Sequence, residues 1–215
     1  MQRVRCFMLE PAPFAREELR RFVFTNDDDG NPVPEHKCPG CPHHGIHDAT
    51  VVLGQIDLPL SDAGRRADDC PHDDPRWPRK CDRCDFVFGE RGRWQHVVER
   101  LFRRGDNGGL CTLKEAPVGA MYYADWMPKS VGGPDGRYLM VVCPGNHPWS
   151  VDGQASNCTT RQGPDAYPKH KCWIRHGTPP DITVDKNGKT CAAGAGSIVV
   201  PGWHGFLRNG WLEQC

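Results

Sequence analysis

Two C-x2-C motifs constrain this chain more than any other feature of its sequence. Cys38-Pro39-Gly40-Cys41 is the first and Cys81-Asp82-Arg83-Cys84 is the second, with 39 residues between them. The tight turn of such a motif points both sulfurs the same way, so two motifs supply four thiolates in a tetrahedron. Four thiolates form a closed structural zinc site with no open position for chemistry. The sequence therefore predicts a zinc ribbon with Cys38, Cys41, Cys81 and Cys84 as ligands.

The cysteines are interpreted as metal ligands because the sequence indicates a reducing compartment. The chain has 12 cysteines and 10 histidines, and no apolar segment of signal-peptide length follows Met1. No stretch approaches the roughly 18 apolar residues that a membrane span requires. We therefore expect a cytosolic protein without a membrane partner, in which clustered cysteines bind metal rather than form disulfides.

Composition limits both the partners and the core. Lys+Arg and Asp+Glu both number 27, so the chain lacks the basic excess that binding to nucleic acid phosphates usually shows. Gly and Pro number 24 and 20, and the apolar fraction is only 38%. Such a chain forms short elements with many loops, and bound metal would help to stabilise its small core.

Periodicity predicts one helix near the N-terminus. Ala15, Leu19, Phe22 and Val23 recur at helical spacing, and Pro13 suits a first helical position, so we expect a helix over 13–23. Strand-like fragments follow between the two cysteine motifs, and the polar stretch 61–80 is predicted to be an inserted loop.

The remaining chain is expected to be mostly strands. Residues 94–103 fit a helical stripe, but the turn at 105–109 and the strand-like 110–113 favour a β-hairpin. Residues 138–143 predict a clear strand, and turns recur through the second half. The predicted fold is α+β and mainly β: an N-terminal helix and zinc-ribbon module with its inserted loop at 1–120, then a small antiparallel β domain at 121–215.

Two further groups of Cys and His residues are candidate sites. The loop group consists of His43, His44, His47, Cys70 and His72. The C-terminal group consists of Cys158, Cys172, His176, Cys191 and His204. Three interpretations of the C-terminal group stay open. It is a second zinc site, or a catalytic Cys–His set drawn from Cys191, His204, Cys172 and His176, or a set of buried thiols and hydrogen-bonded histidines without chemistry.

Aromatic and basic residues supply the candidate partner contacts. For a protein partner these are Tyr122, Tyr123, Trp126, Trp203 and Trp211. For a nucleic acid they are Arg79, Lys80, Arg83, Arg91 and Arg93, close to the second cysteine motif.

Several short segments together resemble an uncharacterised family of tailed-bacteriophage proteins that contain a zinc ribbon. Besides the divided C-x2-C pair, these segments are Ala116–Met121, Ser156–Cys158, Cys172–Gly177, Val184–Lys186, Ala193–Ile198 and His204–Leu207. The resemblance implies a phage origin and expression in the cytoplasm of a bacterial host. It carries no catalytic role.

The sequence thus predicts a phage protein with a structural zinc site. It would act as a virion component or as an accessory module that binds another protein, such as a virion protein. A thiol- or metal-dependent hydrolase of the peptidase type and a nucleic-acid-binding zinc ribbon are the alternatives.

Overall fold

The structure is a computed structural model that describes residues 3–23, 31, 38–40, 46–58, 74–89, 92–155, 157–158, 170–188, 191–193 and 196–215. The chain divides into two compact units. We call Ala12–Leu101 the inserted unit, and Met1–Pro11 together with Phe102–Cys215 the split unit. The sequence analysis set the boundary between residues 120 and 121 instead.

The described residues form thirteen strands. In chain order they are β1 (Arg3–Arg5), β2 (Phe7–Val23), β3 (His47–Asp57), β4 (Arg93–Arg104), β5 (Leu110–Cys111), β6 (Ala120–Tyr123), β7 (Leu139–Cys143), β8 (His147–Ser150), β9 (Ile174–Thr178), β10 (Asp181–Asp185), β11 (Ile198–Val200), β12 (Trp203–Arg208) and β13 (Trp211–Gln214). Within these residues one 3-10 turn, Lys129–Val131, is the sole helical element, and no helix is long and apolar enough to cross a membrane.

The predicted N-terminal helix is wrong, and with it the α+β fold class: the described chain is nearly all sheet. Residues 13–23 belong to β2, which pairs antiparallel with β3 from Phe14–Asp57 to Val23–His47. Ala15, Leu19 and Val23 are buried as predicted, but a spacing of four residues fits a strand as well as a helix. Arg21 is also buried, which completes the alternation of a strand. β3, the strand that pairs with these residues, lies about 30 residues downstream. A periodicity measured within residues 13–23 carries no information about it.

The predicted hairpin after residue 94 is confirmed. β4 pairs antiparallel with β5 through Phe102–Cys111 and Arg103–Leu110. The predicted strand at 138–143 is likewise present as β7. In the split unit, β6, β7 and β8 pair antiparallel, β9 pairs with β10, and β1, β13, β12 and β11 form a four-stranded sheet in that order.

Each unit places cysteines in its apolar core. In the inserted unit, Val23, Ala49 and Phe88 form a buried cluster with Cys38 and Cys81. The main core of the split unit is larger and contains, among others, Cys158, Cys172, Trp173, Leu139 and Leu207. Among the described residues, the predicted ligands Cys38, Cys81, Cys158 and Cys172 therefore lie in these cores, where a bound metal would crosslink separate chain segments.

Candidate metal centres

The first centre lies in the inserted unit and contains three sulfurs and one imidazole. One ligand atom from each of Cys38, His47, Cys81 and Cys84 lies within 4.8 Å of every other. The sulfur of Cys38 is 3.7 Å from that of Cys81 and 3.8 Å from that of Cys84. The Nδ1 atom of His47 is 3.2 Å from the sulfur of Cys84.

The sulfur–sulfur separations are those of a tetrahedral metal site. Zinc–sulfur bonds of about 2.3 Å at tetrahedral angles separate two sulfurs by about 3.8 Å. A disulfide would bring them to about 2.05 Å, and all the described cysteines are free thiols. The four ligand atoms therefore surround a space suited to one metal ion.

Local backbone structure holds the second motif in place. The amide of Cys81 donates a hydrogen bond to the carbonyl oxygen of Phe86, and Lys80 forms a β-bridge with Val87. Residues 80–87 therefore form a short hairpin, which we call the knuckle hairpin, with Cys81 and Cys84 in its turn. In the first motif, a Cβ atom on Gly40 would lie 2.5 Å from the carbonyl oxygen of Arg83. The close approach of the two motifs thus requires glycine at this position.

A buried arginine closes the base of the knuckle hairpin. Arg21 of β2 donates hydrogen bonds to the carbonyl oxygens of Pro78 (3.1 Å) and Gly89 (2.6 Å), one on each side of the hairpin. Its guanidinium also lies over the rings of Trp77 and Phe88, 5.2 Å from each centroid. Arg21 thereby ties both ends of the knuckle hairpin to β2.

Without a metal, two thiols of the first centre shift their pKa values in opposite directions. Burial, followed by hydrogen bonds with the other thiols, raises the pKa of Cys38 to about 11. Burial also acts to raise the pKa of Cys81, but the backbone amide of Arg83 and the imidazole of His47 outweigh it and lower that pKa to about 7. Several thiolates do not share a buried volume unless a positive ion offsets their repulsion.

The prediction for the ligands of this centre is confirmed in part. Cys38, Cys81 and Cys84 come together, whereas Cys41 lies outside the described residues and His47 supplies the fourth described donor. His47 was assigned to the loop group, of which His43, His44, Cys70 and His72 also lie outside the described residues. His47 opens β3 directly beside the knuckle hairpin, a position that depends on strand pairing and not on motif spacing.

The second centre lies in the split unit and repeats the same ligand set. Ligand atoms of Cys158, His170, Cys172 and Cys191 all lie within 4.8 Å of one another. The sulfur of Cys191 is 3.7 Å from that of Cys158 and 3.6 Å from that of Cys172. The Nε2 atom of His170 is 3.5 Å from the sulfur of Cys172, close to the roughly 3.5 Å expected between nitrogen and sulfur on a tetrahedral zinc.

Polar contacts around the second centre position its ligands. Lys186 donates hydrogen bonds to the carbonyl oxygens of Cys172 (2.5 Å) and Ala193 (2.7 Å), and its ammonium lies 5.9 Å from the ring centroid of Trp173. Gln154 donates to the carbonyl oxygen of His170 at 3.2 Å. The Lys186 charge lies beside a ligand set that carries net negative charge when three thiolates bind one divalent ion.

The histidines predicted for the C-terminal group lie elsewhere. His176 is exposed on β9, with Nε2 2.9 Å from the carboxylate of Asp185. His204 is exposed on β12 and contacts the hydroxyl of Ser197 at 2.9 Å. The thiols Cys172 and Cys191, which were also catalytic candidates, lie in the second centre. Burial raises the pKa of Cys172 to about 12 when no metal is bound, the opposite of what an activated nucleophile needs.

Sequence reasoning missed His170 as a ligand. The spacing Cys172-x3-His176 matched a familiar ligand pattern, so His176 was preferred. His176 lies on β9, where it pairs with Thr183 of β10, and the structure directs its imidazole to solvent. The shorter His170-Lys171-Cys172 spacing was the available signal.

The predicted partner-contact aromatics differ in exposure. Tyr122 and Trp203 are buried in the split unit. Tyr123 and Trp211 are half-buried, and the guanidinium of Arg3 lies 4.2 Å from the ring centroid of Trp211. Trp126 is 65% exposed and is the one large aromatic surface among these candidates.

The predicted nucleic-acid contacts lie mostly at the surface of the inserted unit. Arg79, Lys80, Arg83 and Arg93 are exposed, and Arg91 lies outside the described residues. Arg83 forms an ion pair with Asp48 at 3.2 Å.

Comparison of the chain with models of protein families, with curated proteins and with solved structures found no match.

Proposed function

We propose that this protein is a non-enzymatic binding module whose two β units are each held together by one structural zinc ion. One observation carries the proposal: each centre presents three sulfurs and one imidazole at the separations of a tetrahedron. Cys3His is an established ligand set of structural zinc sites.

The chemistry of the ligands selects the metal. Thiolates are soft ligands, and imidazole is a borderline one, so the set disfavours magnesium and calcium, which prefer oxygen. Tetrahedral geometry with mixed sulfur and nitrogen ligands suits Zn²⁺. Four protein ligands also leave no position for a bound water, so neither zinc would activate a nucleophile.

The hydrolase alternative loses support from the same geometry. Its thiol candidates Cys172 and Cys191 are occupied as ligands in the second centre, and His176 and His204 contact Asp185 and Ser197 instead. A catalytic Cys–His pair needs the imidazole within hydrogen-bonding distance of the thiol, which holds for His170 and Cys172 but for neither predicted histidine. His170 and Cys172 share their position with two further thiols, which favours a metal site over a catalytic pair.

The metal would supply stability that the small cores lack. The buried cluster around the first centre contains few apolar residues besides the ligands. Bound zinc then contributes folding free energy directly. We further propose that the module is a virion component or accessory protein of a tailed phage, for which the support is the sequence resemblance.

Elemental analysis of protein purified without chelator tests the zinc assignment. We expect two zinc ions per chain, and one each in Cys81→Ser and Cys172→Ser. A wild-type protein with no zinc, or with zinc that both variants retain in full, would overturn the proposal.

Binding to nucleic acid is the second candidate, supported by the exposed Arg79, Lys80 and Arg83 on or beside the knuckle hairpin. Fluorescence anisotropy with a labelled single-stranded oligonucleotide at low and high salt tests it. Binding that weakens steeply with salt and is lost in an Arg79→Ala/Lys80→Ala double variant would support this candidate, and unchanged anisotropy would remove it.

A further inference from the structure

The knuckle hairpin covers the outer edge of β3, the edge that does not face β2. Among the described residues β3 pairs with β2 alone, so this edge would otherwise present unpaired backbone groups. An uncovered edge strand is a template for pairing with another chain. A cover on this edge prevents such pairing.

Asp82, between the ligands Cys81 and Cys84, takes the place of a partner strand. Its amide donates a hydrogen bond to the carbonyl oxygen of Asp48 at 3.0 Å. Its carboxylate accepts a hydrogen bond from the amide of Thr50 at 2.8 Å. One residue thereby satisfies an acceptor and a donor of the β3 edge on either side of Ala49, which is the hydrogen-bond pattern of a residue in a parallel strand.

Arg76 continues this cover along the strand. It donates a hydrogen bond to the carbonyl oxygen of Leu53 at 3.1 Å, and the carboxylate of Asp74 holds its guanidinium through contacts of 2.7 Å and 3.0 Å. The cover thus extends from Asp48 to Leu53 and is supplied by residues 74–82.

The first metal centre holds this cover against the strand. His47 is the first residue of β3, and Cys84 lies beyond Asp82 in the knuckle hairpin. A metal bound by both residues crosslinks the hairpin to the strand that it covers. Without the metal, the hairpin keeps the hydrogen bonds of Asp82, the Arg83–Asp48 ion pair and the Phe86–His47 stack. The first two compete with water at this exposed edge.

The uncovered strand is suited to pair with itself. Val52 is 52% exposed, and its neighbours Val51 and Leu53 are also apolar. In the antiparallel register that sets Val52 opposite Val52 of a second copy, Val51 faces Leu53 and His47 faces Asp57. This register joins apolar residues at its centre and sets an imidazole opposite a carboxylate at each end, and its two-fold symmetry closes the assembly at a dimer.

We propose that the first metal centre controls a homodimerisation surface: zinc keeps the outer edge of β3 covered, and loss of zinc releases it to pair with β3 of a second copy. This inference depends on the proposed zinc binding at the first centre. Beyond the proposed function, it names a partner, which is a second copy of this chain, and the condition for binding, which is the loss of zinc.

Analytical ultracentrifugation of the full chain tests the inference, with zinc bound, after chelation, and after zinc is restored. We expect a monomer with zinc, a species of twice that mass after chelation, and a return to monomer with added zinc. Cys84→Ser, which disrupts the first centre, should dimerise without chelator, whereas Cys172→Ser, which disrupts the second, should stay monomeric.

Two matched substitutions locate the contact. Val52→Lys sets two like charges opposite each other in the proposed register, so the chelated variant should remain monomeric. Val199→Lys, at a 71% exposed valine in the split unit, should dimerise like the wild type. A chelated wild type that stays monomeric, or association that Val52→Lys does not prevent, would overturn this inference and leave the zinc assignment intact. A wild type that binds no zinc would overturn both.

Discussion

Phe86 lies flat against the imidazole of His47, with ring centroids 3.9 Å apart and an angle of 4° between the planes. The stack fixes the ring orientation that directs Nδ1 of His47 toward the sulfur of Cys84. Residues that orient a metal ligand affect metal affinity although they do not touch the ion.

Replacing Phe86 should therefore weaken zinc binding at the first centre. We expect Phe86→Leu to lower the affinity by about tenfold or more, because leucine keeps apolar bulk but loses the flat face that holds the imidazole. Competition with a chromogenic chelator in the Cys172→Ser background measures this centre alone. Val87→Ala, at the exposed neighbouring position, is the control and should change the affinity little. Equal affinities in Phe86→Leu and the parent would show that the stack does not position the ligand.

Histidine substitutions should distinguish the ligand of the second centre from its exposed neighbours. His170→Ala removes the imidazole that lies 3.5 Å from the sulfur of Cys172, so we expect it to lose one of two zinc ions. His176→Ala and His204→Ala alter exposed side chains that contact Asp185 and Ser197, and both should retain two. Elemental analysis of the three variants provides the comparison. Zinc loss in His176→Ala but not in His170→Ala would reassign the site.

Arg21 should be among the most sensitive positions of the inserted unit. Arg21→Met keeps much of the side-chain length but removes the guanidinium donor of the Pro78 and Gly89 carbonyl oxygens, and Gly89 then keeps the Gly92 amide alone. Because hydrogen bonds from charged groups are worth about 1.5–3 kcal/mol each, we expect a loss of at least about 2 kcal/mol in unfolding free energy. Denaturant unfolding of the zinc-loaded protein measures it.

The exposed Arg79 is the control position for the Arg21 substitution. Arg79→Met changes a guanidinium at the surface of the same segment, and such substitutions usually alter stability by less than about 0.5 kcal/mol. Similar losses in both variants would contradict the role assigned to the buried arginine.

Arg21 also shows why a helix was wrongly predicted for the residues that form β2. A helix with Ala15, Leu19 and Val23 on its apolar face would place Arg21 on the opposite, solvated face, and an arginine is rarely buried. Its burial depends on the carbonyl oxygens of Pro78 and Gly89 and on the rings of Trp77 and Phe88, all more than 50 residues away in sequence. Local patterns do not contain that information, so tertiary contacts determined the element type.

The metal centres were more predictable because part of their geometry is local. The C-x2-C spacing identified Cys81 and Cys84, and Cys38 of the other motif joins them. His47 was predicted as a ligand of the loop group and not of this centre, and His170 was not predicted at all. Strand pairing brings His47 to the first centre, and chain folding brings His170 to the second. Short motifs thus predict cysteine pairs well, whereas the remaining ligand depends on where separate segments meet.

Two ion pairs of the split unit should differ in their contribution to stability. Arg175 and Asp152 are both buried, with Nε and Oδ1 3.0 Å apart, whereas Arg137 and Asp125 are exposed at the same separation. Arg175→Met leaves a buried carboxylate without its cation and should cost about 3–5 kcal/mol. Arg137→Met should cost less than about 1 kcal/mol. Denaturant unfolding of both zinc-loaded variants gives the comparison, and equal costs would contradict the assignment.

The cost of Arg175→Met should also depend on pH. Burial raises the pKa of Asp152 even in the presence of Arg175, and removal of the cation should raise it further. A carboxyl group whose pKa is higher in the folded state binds more protons there, so stability falls as pH rises through that pKa. The loss of unfolding free energy in Arg175→Met, relative to the wild type, should therefore increase with pH. Denaturant unfolding of both proteins is measured over the pH range in which elemental analysis shows constant zinc content. A difference in unfolding free energy that becomes smaller as pH rises would contradict this account.

Alkylation should separate the metal-bound cysteines from those protected by burial alone. We expect the six ligand cysteines to resist alkylation in the zinc-loaded protein and to react after chelation; they are Cys38, Cys81, Cys84, Cys158, Cys172 and Cys191. Cys6 and Cys143 should resist in both states while the split unit stays folded, because burial raises the pKa of each thiol to about 12. Cys215 is exposed and should react in both states. Mass spectrometry of peptides after brief labelling shows which cysteines have been alkylated. Ligand cysteines that stay unreactive after chelation but react after treatment with a reductant would show disulfides in place of zinc.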